Sequence, residues 1–323
     1  MRRRAIGITL AGLGAFLIVV AVLLRTYVGG QVIKFPLNEY DKVTLQGTGV
    51  SYFSPTMVKP VSGATIRVTS TVKGDAAAGT SSTAVWNEFS YLYDTTNSAT
   101  FEFSTRRFAF DRRTAELVNC CGASVNGNTA IRQSGLVGFL WPLGTQKKTY
   151  DVFDPVLNKS RPARYEGTST IDGIRVYRFF EHVASTRAGS ETLPGSLVGM
   201  PGQSLVTLPE YYTGNNTFWV DPLTGAELNE HQDEKLTLED STGTQRLLLL
   251  DGDLMMTPQS VQATVKVDQN GRNEYGWLEF IIPLVCLGLG IVALIIGIVL
   301  ARTRREGEHA RTTAPEPVLD PAQ

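Results

Sequence analysis

Apolar positions follow two rhythms along this chain: continuous near its ends and alternating between them. Residues 5–24 read AIGITLAGLGAFLIVVAVLL, 20 positions without a charge. As a helix rising about 1.5 Å per residue they span roughly 30 Å, the thickness of a bilayer core. Residues 280–300, FIIPLVCLGLGIVALIIGIVL, form a second uncharged run, with Tyr275, Trp277 and Glu279 just before it. The pattern predicts transmembrane helices over 5–24 and 278–300. The first reads as an uncleaved signal anchor: it is longer than a signal-peptide core, and Val22, Leu23, Leu24 and Arg25 make a poor cleavage site. Arg2, Arg3 and Arg4 precede the first run, and Arg302, Arg304 and Arg305 follow the second. By the positive-inside rule, 1–4 and 301–323 are cytoplasmic and 26–277 lie outside, giving a two-pass protein of the plasma membrane. The polar, proline-containing tail 301–323 reads as disordered. Gly7, Ala11 and Gly14 in one run, and Gly290, Ala293 and Gly297 in the other, form small-residue stripes suited to close helix packing in lipid.

The middle segment alternates. Residues 64–72 (ATIRVTSTV), 98–110, 217–220, 235–238 and 246–250 read as strands, as does 260–267 (SVQATVKV). Residues 170–180 read as a hairpin around Asp172 and Gly173. Short helices fit only near 191–198 or 254–262. The expected fold is mainly β: a large antiparallel domain, a curved sheet or open barrel, between the two helices. One repeat stands out at an offset of 110. FAFDRRTAEL (108–117) matches FWVDPLTGAEL (218–228), with Asp111 and Thr114 corresponding to Asp221 and Thr224. Aspartate that hydrogen-bonds turn backbone, followed by Thr, marks a hairpin turn in each copy. Either convergent turn chemistry or a duplicated meander explains the match.

Composition narrows the function classes. The formal net charge of −1 lacks the basic excess of a nucleic-acid binder. Charge is uneven: residues 106–178 carry a net +6, and residues 210–253 a net −8. The acidic stretch 227–240 lacks the spacing and glycine of a calcium loop and reads as solvated surface. Asp251, Gly252 and Asp253 read as a turn. No HExxH, Cys/His zinc spacing, GxSxG elbow or Walker loop occurs, so no catalytic, cofactor or metal residue is nominated and the chain is read as a non-enzyme. Cys120 and Cys121 are adjacent, and Cys286 lies within the second apolar run. A vicinal disulfide is the favoured state, beside intermolecular bridging or two buried thiols. LVGFLWPL (136–143) is the most apolar stretch outside the end runs. It reads as buried core or as an exposed lip that meets lipid, with Phe139, Leu140 and Trp141 as contacts and Lys147 and Lys148 near anionic headgroups. Phe139 leans towards core, and Trp141 towards the lip because Pro142 turns the chain directly after it.

FDRRTAELVNCCG, GLVGFLWPLGTQKKTYDVFDP, RYEGTSTIDGIRVYRF and TFWVDPLTGAELNEHQ resemble the actinobacterial PorA family, two-helix membrane proteins with an extracytoplasmic domain. The resemblance covers most of the chain, and the family's name implies a porin or channel-associated envelope protein. The residues themselves favour binding or passing an apolar envelope molecule, expected to be lipid. A pore would need a polar path, and the two runs offer no polar stripe beyond Thr9. A structural or sensory domain that binds another envelope protein is the third reading. The WVDPLTG hairpin also resembles those of periplasmic lipoprotein-carrier proteins, and the helix–β domain–helix plan resembles class B scavenger receptors, both handlers of lipid.

Overall fold

The computed structural model describes residues 2–28 and 33–302. It divides into a helical unit, residues 1–33 with 273–323, and a β unit, residues 34–272. The tail expected to be disordered lies outside the described residues from 303 onwards.

The helical unit is an antiparallel pair. Helix α1 (Arg2–Leu23) runs into a π-helical turn (Leu24–Val28). Its partner α3 (Ile282–Arg302) follows a π-helical turn (Trp277–Ile281). Gly7, Gly14 and Ala21 are buried on α1, and Pro283, Gly290 and Gly297 on α3. Both sets repeat every seven residues, the spacing that keeps one seam against a partner helix. A methyl group on Gly14 would meet the Gly290 carbonyl, and one on Gly297 would meet the Gly7 carbonyl and the Ala11 backbone. Backbone thus packs on backbone, as the small-residue stripes predict.

The β unit contains twelve strands: β1 (Tyr40–Ser54), β2 (Lys59–Gly74), β3 (Thr83–Asp94), β4 (Ala99–Asp111), β5 (Leu117–Val118), β6 (Ser124–Val125), β7 (Tyr150–Asp154), β8 (Lys159–Ile171), β9 (Ile174–Leu193), β10 (Val206–Val220), β11 (Glu227–Glu239) and β12 (Gln245–Met256). Eleven form one curled antiparallel half-barrel in the order β5-β4-β3-β2-β1-β12-β11-β10-β9-β8-β7, and β6 pairs with β4 off this path. Two meanders, β1–β5 and β7–β12, are therefore joined along β1 and β12. The two sheet edges are tied at one point. Leu136 bridges Glu116 on one side and Val152 on the other.

The turns share one chemistry. Asp111 Oδ1 accepts the Arg113 and Thr114 amides, while Ala115 (φ 55°) donates to the Asp111 carbonyl. Asp221 Oδ1 accepts the Leu223 amide, and Gly225 (φ 71°) donates to the Asp221 carbonyl. At the offset of 110 the two turns share the amide two residues on to the aspartate Oδ1 and the amide four residues on to its carbonyl. The same aspartate role recurs at Asp94 and Asp154, followed by positive φ at Ser98 and Asn158. Recurring turn chemistry of this kind accounts for the sequence match without requiring a duplicated meander.

Two local expectations are corrected. Residues 260–267 are helix, part of α2 (Pro258–Gly276), not strand. Val261 and Val265, one turn apart, pack on Ile174, Val176 and Leu228. Thr257 caps the helix by accepting the Ser260 amide, and Pro258 follows at the position where a missing N–H costs nothing. These were legible start signals, obscured by the alternation of valine and polar residues. The helical stretch continues from Pro258 to Arg302, so the apolar run 278–300 is its second half. Asp251, Gly252 and Asp253 lie within β12 rather than in a turn, and Gly252 admits the Val50 side chain of the neighbouring strand.

Candidate functional site

The concave face of the sheet carries an apolar layer, a belt of carboxylates and a second apolar layer. Register places these residues. On β9 and β10, Phe179 pairs with Phe218, Glu181 with Asn216, and Val183 with Gly214. On β10 and β11, Phe218 pairs with Glu230, Asn216 with Gln232, Gly214 with Glu234, and Tyr212 with Leu236. On β3 and β4, Trp86 pairs with Phe108, Glu88 with Arg106, and Leu92 with Glu102.

The first apolar layer is plugged by the segment the sequence singles out. Trp141 is fully buried and stacks on Phe179, with ring centroids 4.3 Å apart. The expectation that it forms an exposed lip is therefore corrected: the chain turns inward before Pro142, and the indole fills the end of the curl. Phe139 is half-buried beside Trp86 and Phe108, and Leu140 bridges Ala226. The two equivalent turns grip this plug. The Ala115 and Gly225 carbonyls accept the Val137 and Trp141 amides, and those of Arg113 and Leu223 accept the Leu143 and Gly144 amides. Arg106, 6% exposed, donates from Nε to Gln133 and from Nη1 to the Val137 carbonyl, both at 2.8 Å. Lys147 and Lys148 are exposed, with their ammonium groups over the rings of Tyr165, Tyr177 and Tyr150.

The belt gathers acids from many strands. Asp154 of β7, Glu181 of β9 and Glu227, Glu230 and Glu234 of β11 all have raised pKa values, with burial the largest cause. Burial likewise raises Glu88 and Glu102, which face β11 from the other meander. Burial and the neighbouring Asp154 push Glu181 up to about 7. Glu234 rises to about 8, although the Tyr212 hydroxyl donates to its Oε1 at 3.0 Å. Glu227 and Glu230 adjoin one another, and Glu230 rises to about 7. Two adjoining buried carboxyls hold a proton between them more readily than two negative charges. Glu88, Glu230, Gln232 and Glu234 nonetheless keep part of their surface accessible, as groups lining a concave wall do. The acidic stretch is thus not uniformly solvated. Strand alternation sends Glu230 and Glu234 inward, and Asp233 and Lys235 outward.

Elsewhere, the sulfurs of Cys120 and Cys121 are paired as a vicinal disulfide in an exposed turn, while Cys286 stays a free thiol. Thr224 donates to Asp268 of α2, and Arg272 pairs with the fully buried Asp221 at 2.5 Å. Thr114 donates only within its own turn, to Asp111. Among the described residues no group of three or more His, Cys, Asp or Glu side chains could hold a metal ion.

The sequence matches the family model described as Porin PorA over residues 6–299. The chain belongs to this family. It is also similar to the Porin PorA of Corynebacterium resistens, 23% identical over 259 residues, covering 59% of this chain and 62% of that one. The match therefore spans less than two thirds of the relative's length. In this PorA-family chain, the outward face of β11 and β12 carries Asp233, Lys235, Asp251 and Asp253, all exposed. A lipid-facing barrel would present an apolar band there.

Proposed function

We propose that this PorA-family chain is a two-pass protein of the cytoplasmic membrane. In this reading both termini are cytoplasmic and the β unit, outside, binds an amphipathic envelope molecule in the concavity of its sheet. The observation that carries the reading is the layered concave face: partly accessible carboxylates between two apolar layers. An apolar chain lies against residues such as Leu92, Phe101 and Leu236, and the head group meets the belt. Two apolar helices and the envelope location implied by the family support the membrane placement. This refines the expectation of a purely apolar container, because the middle of the curl is polar.

The test is native mass spectrometry of the full chain, purified in a neutral detergent. A co-purified lipid-sized adduct is expected. Leu236→Arg, which projects a charged chain into the concavity, should remove it. Protein free of adduct, or an adduct indifferent to that substitution, would overturn the reading. The family name supports a second reading, a pore or a channel-associated protein. Conductance in planar bilayers from adduct-free protein would favour it.

A further inference from the structure

We propose that the deep end of the belt, where β7, β9 and β10 bring Asp154, Glu181 and Asn216 together, is a subsite for a primary ammonium group carried by an amphiphile. The proposal rests on the ligand-binding reading above and names its head group.

Two independent observations lead there. The first is a deficit of donors. Glu181 is 2% exposed, and Asn216 and Asp154 are each 7% exposed. Glu181 Oε1, Asn216 Oδ1 and Asp154 Oδ2 are nevertheless without a hydrogen-bond partner. Leaving a buried acceptor unpaired forfeits its hydration with nothing in return. Folded chains therefore rarely keep three together without a use for them. All three are acceptors, and Arg161 Nε, beside Asp154 and Glu181, is the one buried unpaired donor of the cluster, so one donor faces three open acceptors. The other Asp154 oxygen is already engaged by the Val156 and Leu157 amides of its turn, which fixes the carboxylate in place.

The second observation is charge. Asp154 and Glu181 face each other and also Glu230 and Glu234, and the cation acting on the first pair is Arg161. Four carboxyls face this one guanidinium, and burial raises their pKa values, so protons share the site with Arg161 until another cation displaces them. A ligand that brings both donors and positive charge satisfies both deficits. A primary ammonium has three N–H donors and one charge, matching three open acceptors. A sulfate or phosphate head would add acceptors and negative charge to a site already rich in both. A hydroxyl would bring a single donor and no charge. Ammonium binding would also favour ionised carboxylates over protonated ones, so uptake should release protons and strengthen with pH.

The experiment uses the full chain in neutral detergent and three probes with the same alkyl chain: dodecylamine, 1-dodecanol and dodecyl sulfate. Binding is read by native mass spectrometry and by quenching of tryptophan fluorescence, at pH 5.5 and pH 8. Dodecylamine should bind at least about tenfold more tightly than either other probe, and more tightly at pH 8. Glu181→Gln keeps the shape, removes the charge and should abolish that preference. Circular dichroism checks that the variant folds. If it does not, Glu234→Gln, on the accessible side of the belt, should weaken the preference. Equal binding of all three probes would overturn the ammonium subsite while leaving the ligand-binding reading intact. So would an amine preference untouched by both folded variants. Failure of all three probes to bind would overturn the reading itself.

Discussion

Asp221 shows how much one side chain is asked to do. It is fully buried, caps its own turn and receives Arg272 from α2. Its counterpart Asp111 caps an equivalent turn without a cross-element ion pair and is partly exposed. Asp221→Ala removes a fully buried turn acceptor and one of the two carboxyls that Arg272 faces, the other being Asp268, and should cost about 2–3 kcal/mol, the range for a hydrogen bond to a charged group. Asp111→Ala should cost only about 1–2 kcal/mol, the loss of a turn acceptor. Thermal or urea melts of the two variants check the difference, and equal losses would refute it. Gly225 and Ala115 differ for a related reason. Both have positive φ, but a methyl group at 225 would run into the Trp141 carbonyl. Glycine there meets a requirement of backbone approach that Ala115 does not face. The cysteine pair has a simple check. Protein purified without reductant should be lighter than the reduced form by the mass of about two hydrogens and resist alkylation at Cys120 and Cys121.

At the scale of an element, β11 makes the clearest claim. Glu230 and Glu234 sit two strand repeats apart on the concave wall, with pKa values raised to about 7 and about 8. A carboxyl whose folded pKa is raised binds its proton more tightly folded than unfolded. Its stabilising contribution is therefore complete below the unfolded value and is lost as pH climbs through the folded one. Asp268 and Glu181, each raised to about 7, act in the same direction. The melting temperature of the β unit should fall between pH 5 and pH 8.5, and Glu234→Gln should flatten that slope. A melting temperature that rises across this interval would contradict the assignment. Helix α2 teaches a different lesson. Its valines alternate with polar residues over 260–267, so period two and period 3.6 both fit the sequence. Packing on Ile174 and Val176 decides for the helix.

At the scale of the molecule, the plug and the topology carry the remaining expectations. Trp141→Ala would empty the aromatic layer and should cost about 3–5 kcal/mol. Chemical denaturation should show it, and a neutral result would mean that the indole is dispensable to the core. For the proposed two-pass topology, a cysteine placed at Thr242, in the exposed turn between β11 and β12, should label in intact cells. One placed at Thr313 should label only after lysis. The opposite pattern would reverse the orientation.

Local chemistry was legible in the residues themselves. Charge-free runs of 20 and 21 positions name the apolar helices, because no soluble strand or loop sustains such a run. Asp172 and Gly173 name their hairpin, and the equivalence of the turns at Asp111 and Asp221 follows from their matching residues. The small-residue stripes identify the seam along which the helices meet. What the sequence could not determine was the partner of each face. The acidic stretch 227–240 looks solvated because six acids in fourteen residues ordinarily are. Only the curl of the sheet, with β3 and β4 brought opposite β11, turns Glu230 and Glu234 inward. Trp141 likewise has no neighbour in sequence that foretells Phe179, which approaches from β9. Periodicity reports which side a residue takes. Which side is inside depends on pairings between strands far apart in the chain, and those exist only once the sheet has assembled and curled.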